Sequence, residues 1–337
     1  MSENKILLQE IISRIGAKLI KGDENYCITA IESSQNTSPY TILYIRDKKY
    51  LKKIDQSKSK TCLVSEDHIK FVSNFENIIV SENLSLSFAL LTKILKNSVV
   101  DLPVNESYKF DNSPSIGVGS RISNNTKFGT NVRIGCNCVI EDNVSIGDNS
   151  IVEHNVVIHK DSTIGKNVFI SSGVVIGSEG FGFVKGNSTW VQITHLGRVC
   201  IGNYVSIGSN SCIDRGTIED TVISDNVIID NSVHIAHNVF IGKRTAIAAK
   251  VGIAGSTLIG EDCQIGGMSG IFGHLKITNN VILSPKSNVY RDIKKSGRFS
   301  SIFPLIEHFN WKKISILISK LDKIRFFWMP EDKFLCL

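Results

Sequence analysis

The densest run of side chains able to do chemistry in this chain is Asp230-Asn231-Ser232-Val233-His234-Ile235-Ala236-His237-Asn238. A neutral imidazole is a natural general base near neutral pH. His237 is therefore a candidate to take a proton from a nucleophile. Gly255 follows eighteen residues later, and His274 lies thirty-seven residues after His237. A glycine N–H can come close to a carbonyl and stabilise an oxyanion. Asp230 can orient or stabilise a protonated imidazole. Base, oxyanion donor and supporting acid are the parts of an acyl-transfer site. Other chemistries lack their motifs: there is no Gly-rich phosphate loop, no GxSxG elbow and no HExxH. His234, His237 and His274 raise the question of zinc. His234 immediately precedes an inward Ile235 and His237 sits beyond it, so the rings need not converge. No metal and no other cofactor is expected.

A repeat positions these residues. Branched apolar residues recur every sixth position, from Ile116 through Ile122, Phe128, Ile134 and Ile140 to Ile176. The series resumes at Ile201 and runs again from Ile223 to Ile277. A period of six fits neither an amphipathic helix nor an alternating strand. It fits a parallel β-helix in which three hexapeptides make one coil of eighteen residues. Coils then stack at roughly 4.8 Å. The Gly, Asn or Asp beside each apolar residue is expected to accommodate the corner. In this frame His237 and Gly255 share one edge, and His274 lies two coils up, shifted by one. Two insertions break the phase. One, between Ile176 and Ile201, carries Gly180-Phe181-Gly182-Phe183, Trp190 and His195; the other surrounds Asp214, Arg215 and Gly216. Gly- and aromatic-rich excursions from such a regular frame point to function.

The expected organisation is a mainly β chain in four parts. Residues 1–102 form a small α/β domain, with helices over Ile6–Ile15 (ended by Gly16) and Ser85–Lys96. Its strand-like pieces are Ile28–Ile31, Thr41–Ile45, Thr61–Val64 and Asn77–Val80. Residues 103–114, with Pro103 and Pro114, are a linker. The β-helix spans 115–292. A helical tail, 293–337, carries an apolar stripe of Ile314, Leu317, Ile318, Leu321 and Ile324 beside a basic face. The stripe is expected to pack on a neighbouring subunit.

The net charge of +6 over 337 residues comes without a dense Lys/Arg block interleaved with aromatics. That argues against nucleic acid and suits an acidic protein or a phosphate-bearing ligand. Eight scattered Cys, with Cys136 and Cys138 two apart, match no zinc-ribbon or redox spacing. A reduced, cytoplasmic protein is expected. Residues 1–10 carry acids and no long apolar core, which argues against a signal peptide, and no run is long enough for a transmembrane helix.

The combined motifs resemble one family. Glu179-Gly-Phe-Gly-Phe183, Trp190, Leu196-Gly-Arg-Val199, Ile213-Asp-Arg-Gly216, Ile229-Asp-Asn231, Ile235-Ala-His-Asn238 and Gly273-His274 are similar to the UDP-3-O-acylglucosamine N-acyltransferases. These are hexapeptide acyltransferases of lipid A biosynthesis. The resemblance implies a left-handed parallel β-helix working as a homotrimer. It implies transfer of an (R)-3-hydroxyacyl group from acyl carrier protein to the 2-amino group of a UDP-3-O-(3-hydroxyacyl)-glucosamine. It further implies that His237 is the general base, Gly255 the backbone oxyanion donor, His274 a second active-site His and Asp230 a supporting acid. Phe181, Phe183, Asn231 and Asn238 fall in motifs expected to meet substrate.

Tyr44, Asp47 and Tyr50 match an aromatic, polar, aromatic spacing that grips uracil in that family. Asp47 stands where Asn is familiar, and an ionised Asp donates no hydrogen bond. His195 stands where Gln is expected. Leu283–Val289 replaces a Met-rich stretch, so acyl-length preference does not transfer. Acyl carrier protein is acidic, and Arg291, Lys294, Lys295 and Arg298 are candidates to meet it. The rival readings are a related hexapeptide O-acyl- or acetyltransferase acting on a nucleotide sugar, and a non-catalytic β-helical scaffold.

Overall fold

The computed structural model describes residues 5–32, 38–46, 54, 57–95, 114–301, 306–318 and 320. The chain divides into two compact units, Met1–Asp101 and Leu102–Leu337.

The N-terminal unit is built on a five-stranded sheet. Thr41–Tyr44, Thr61–Val64 and Asn77–Val80 run parallel, and Lys18–Lys21, unmarked in the sequence reading, joins antiparallel to Asn77–Val80. Helix α1 (Leu8–Ile15) buries Leu8, Ile11 and Ile15, and Gly16 ends it at φ +62°. Such a left-handed C-cap costs glycine nothing. Helix α2 (Leu84–Leu95) buries Leu84 and Leu91. Ile6–Leu7, expected as helix, is instead a short strand paired with Cys27–Ile28.

In the second unit, short strands stack into three parallel sheets of ten, nine and eight strands. Register follows the period: Arg133 pairs Ile151 and Ile134 pairs Val152, eighteen residues on. The repeated residue points inward, so Ile134, Ile158, Ile170, Ile207 and Ile235 are all 0% exposed. Burying each such side chain contributes roughly 1.5–3 kcal/mol. A second inward position two residues earlier takes small groups: Val132, Cys138, Val144, Ser150, Val156 and Cys263 are at most 1% exposed or fully buried there. Burial pushes the Cys138 and Cys263 thiols up, as befits inert filler.

The corner differs from expectation. The left-handed residue is not the neighbour of the Ile but the one three positions after it. Asn131, Asn137, Asn143, Asn149 and Asn155 repeat there at φ 55–58°. Asn tolerates this region better than other non-glycine residues. The Gly beside the Ile serves close approach instead: a Cβ on Gly135 would lie 2.5 Å from the Glu153 carbonyl carbon of the next coil.

Both insertions leave the stack intact. Ile164 pairs Ile201, and Ile201 pairs Ile223. The first insertion folds into an antiparallel hairpin, Phe183–Lys185 against Trp190–Gln192. Stacking also passes the expected boundary at residue 292, because Gly297–Phe299 pairs parallel with Val281–Leu283. Helix α3 (His308–Ile318) follows, with Ile316, Leu317 and Ile318 exposed. Leu321 and Ile324 of the expected stripe, and the expected linker up to residue 113, lie outside the described residues.

Candidate active site

His237 is two residues past the inward Ile235, and Gly255 holds the same place one coil higher. The two are in contact. A Cβ on Gly255 would fall 2.5 Å from His237 Cε1 and 2.6 Å from Nε2. No side chain larger than glycine's fits there while the ring keeps its position.

Asn238 decides the proton on that ring. Its amide is oriented from both ends: Nδ2 donates to the Glu219 carbonyl at 2.9 Å, and Oδ1 accepts the Thr217 N–H at 3.0 Å. The same Oδ1 lies 3.0 Å from His237 Nδ1, with Thr217 Oγ1 at 3.3 Å. An amide oxygen can only accept. Nδ1 therefore carries the hydrogen, and Nε2 keeps the basic lone pair on the Gly255 side. Asn238, expected to meet substrate, instead positions the base. Its φ of 58° at the coil corner turns its side chain back onto its neighbour.

The Gly255 N–H is open for a sequence reason. At the equivalent place elsewhere, an Asn or Asp one coil up caps the amide: Asn279 Oδ1 accepts from Glu261 N at 2.9 Å, and Asn231 Oδ1 from Ser209 N at 2.7 Å. The residue above Gly255 is Gly273, which has no side chain. Among the described residues the Gly255 amide has no partner, while its carbonyl accepts the His274 N–H at 2.9 Å.

These groups open on an apolar groove of about 480 Å³. Its floor is the outer face of the sheet at Gly252, Ile253, Gly270 and Ile271, and its walls are Phe181, His234, Ala236 and Phe272. Gly252 and Gly270 hold the outward strand position that the neighbouring coil on this sheet fills with His234 and that another face fills with Phe240 and Leu258, so the groove is carved by missing side chains.

The Gly-Phe-Gly-Phe insertion forms one wall. Phe181 is 84% exposed, and its ring centroid is 5.3 Å from that of Phe183. Beneath it lies His195, whose side chain is buried and stands edge-on to His237 at 5.1 Å between centroids. Its Nδ1 is 3.0 Å from the Ile193 carbonyl and 3.3 Å from Glu179 Oε2, so Nδ1 donates. Its Nε2 is buried without a partner among the described residues. A Cβ on Gly180 would meet that Nε2 at 2.8 Å, and one on Gly182 would meet Cε1 at 2.9 Å. The two glycines are the condition for the loop to lie on His195.

The other expected site residues fall differently. His274 joins Gly255 through its backbone, in the left-handed region at φ 61°, and its side chain is exposed. Asp230 is not beside His237 in the same chain. It follows Ile229, whose strand belongs to another of the three sheets, and it caps the Asn231 and Ala249 amides at 2.8 and 3.1 Å. Asn231 is likewise a cap, on Ser209. In the other unit Tyr44 stacks on Phe88 with 4.0 Å between centroids; Asp47 and Tyr50 lie outside the described residues.

Sequence reasoning missed Thr217, which sits in an insertion with no period to place it. It also missed Gly252 and Gly270, although glycine at an outward position between bulky ones was a readable signal.

Comparison with known proteins finds similarity in sequence and in fold. Residues 143–178 match the family model for the bacterial transferase hexapeptide (six repeats). The chain is 43% identical over 152 residues to a UDP-3-O-acylglucosamine N-acyltransferase of Delftia acidovorans, covering 45% of each. It is 44% identical over 155 residues to one of Bordetella pertussis, covering 45% of this chain and 43% of that one. These matches span a little under half the length of those curated relatives. Among solved structures, a Francisella novicida UDP-N-acetylglucosamine acyltransferase superposes with a TM-score of 0.51 at 22% identity, over 62% of this chain and 78% of that one. Another UDP-N-acetylglucosamine acyltransferase gives 0.52 at 24%, over 65% and 85%. At such identities the structures speak for the parallel β-helix alone.

Proposed function

We propose that the chain is an N-acyltransferase that moves an (R)-3-hydroxyacyl group from acyl carrier protein to the 2-amino group of UDP-3-O-(3-hydroxyacyl)-glucosamine. The observation that carries this reading is the pairing of His237 Nε2 with an uncapped Gly255 N–H at the edge of an apolar groove. The names of the 43–44% identical relatives support the choice of acceptor and of N-acylation.

The chemistry follows from the groups. The amine nitrogen attacks the thioester carbonyl, and its proton passes to His237 Nε2. Asn238 Oδ1 accepts from Nδ1–H throughout, which favours the imidazolium that forms. The carbonyl oxygen gains the negative charge beside the Gly255 N–H. Such a donor contributes about 2.7–4 kcal/mol to the transition state. The tetrahedral intermediate collapses to the amide, the C–S bond breaks, and the thiolate takes the proton back from His237. No covalent acyl-enzyme is required, since two aligned substrates react directly. The acyl chain lies in the groove over Gly252 and Gly270.

The remaining assignments belong to the same proposal. His274 meets the substrate from its exposed corner. Tyr44 of the N-terminal unit meets the uracil. Exposed Arg291, Lys294, Lys295 and Arg298 meet the acidic carrier protein. A homotrimer sets the edge carrying Asp230 against a neighbour's groove, which gives that acid a place near the base. Use of acyl carrier protein puts the reaction in the cytoplasm; among the described residues no helix is long and apolar enough to cross a membrane.

The test is a mass-spectrometric assay offering 3-hydroxyacyl carrier proteins of several lengths to UDP-3-O-acylglucosamine, with UDP-N-acetylglucosamine in parallel. An amide on the free amine is the expected product. Product only on the N-acetylated sugar makes the protein an O-acyltransferase, and no product on either overturns the reading.

A further inference from the structure

Where the second insertion begins, the solenoid gathers Cys212, Asp214 and His234. Cys212 and Asp214 lie two apart on one strand, and His234 pairs with Cys212 one coil on. Ligand atoms from all three lie within 4.8 Å of one another. Cys212 Sγ is 3.7 Å from Asp214 Oδ1, and His234 Nε2 is 3.5 Å from Asp214 Oδ2. A tetrahedral zinc, with bonds of about 2.3 Å to sulfur and about 2.0–2.1 Å to nitrogen and oxygen, has ligand-to-ligand edges of about 3.3–3.6 Å.

Two further observations point to a cation. The Asp214 side chain is only 6% exposed. Its neighbour Arg215 turns away, donating to the Gly197 carbonyl at 2.7 Å and lying 3.7 Å from Asp161. Among the described residues the His234 ring is the sole ion-pair partner of Asp214. A buried carboxylate without a permanent cation is costly. In addition, Ser178 Oγ donates to Asp214 Oδ1 at 2.9 Å and lies 3.4 Å from Cys212 Sγ. Such an outer hydrogen bond orients a ligating carboxylate and leaves its second oxygen for the ion.

We propose that Cys212, Asp214 and His234 bind one zinc-type divalent cation, with the fourth position open toward the groove that His234 lines. The ion neutralises Asp214 and fixes the His234 ring. Residue spacing alone does not point to this site. The set weighed from spacing was His234, His237 and His274, whereas Cys212 and Asp214 flank the inward Ile213 where the second insertion begins.

The test reads binding and is independent of the transfer reaction. The full chain, stripped with chelator, is titrated with Co²⁺. One Co²⁺ per chain, with a thiolate-to-metal charge-transfer band that Zn²⁺ abolishes, is the expected result. Cys212→Ser, nearly isosteric, removes the band. Exposed His234→Ala weakens binding by about tenfold or more, with circular dichroism unchanged in both variants. Absence of the band in the unsubstituted chain, or its persistence in Cys212→Ser, overturns the proposal.

Discussion

Gly273→Asn tests the oxyanion assignment without touching the base. In the unsubstituted chain the Gly255 amide is open because residue 273 has no side chain. An Asn there reproduces the arrangement one hexapeptide later, where Asn279 Oδ1 caps Glu261 N at 2.9 Å. The new Cβ meets the Gly255 carbonyl oxygen at 3.0 Å, so that carbonyl shifts by a few tenths of an ångström. The added hydrogen bond contributes about 1 kcal/mol, and the melting temperature holds or rises. Transfer loses one preorganised donor, so kcat falls about 10²–10³-fold, or about 2.7–4 kcal/mol. Gly273→Ala supplies the same Cβ without an acceptor and stays within about tenfold, or about 1.4 kcal/mol, of the unsubstituted rate. The assay is steady-state amide formation by mass spectrometry, with hydrogen exchange reporting protection of the Gly255 amide. A Gly273→Asn protein whose Gly255 amide is protected, yet which transfers at full rate, refutes the reasoning.

Three other perturbations follow from the same geometry. His237→Ala removes the base and lowers kcat by about 10²–10⁴-fold, while circular dichroism and melting stay near those of the parent; near-normal turnover would sink the general-base role. Gly252→Leu places a side chain where a Cβ meets nothing within 4 Å, so stability is unchanged and the longest acyl donors are rejected; an unaltered length profile would show that the chain lies elsewhere. Asp225 concerns stability. The Asn203 N–H at 2.8 Å, with Lys243 at 3.3 Å, holds its carboxyl below the usual value of 3.8. Its contribution is therefore present above that value and lost as pH falls through the folded-state one. The stability advantage of the parent over Asp225→Asn, read from urea midpoints, should be present at neutral pH and shrink in acid; an advantage independent of pH would contradict the assignment.

The carboxylates of the sequence reading show where inference along the chain stops. Asp230 is seven residues before His237 and looked like its partner. One hexapeptide turns the chain through a corner, however, so the two sit on different sheets. Within one chain it is Asn238, adjacent to the base, that positions the ring, and Asp230 reaches the base only across the subunit contact proposed above.

What the sequence determined is whatever is periodic. Ile at every sixth position has one way to leave water, a stack of three-sided coils. That stack alone put Gly255 above His237 and Gly273 above Gly255. The open amide is thus written in the sequence as two glycines eighteen residues apart. What only tertiary structure decided lies in the insertions, where no period carries position. The contact of Thr217 with His237 and the burial of His195 under Gly180 and Gly182 depend on how non-repeating segments close onto the stack. Those packing choices are set by long-range contacts that local pattern does not encode.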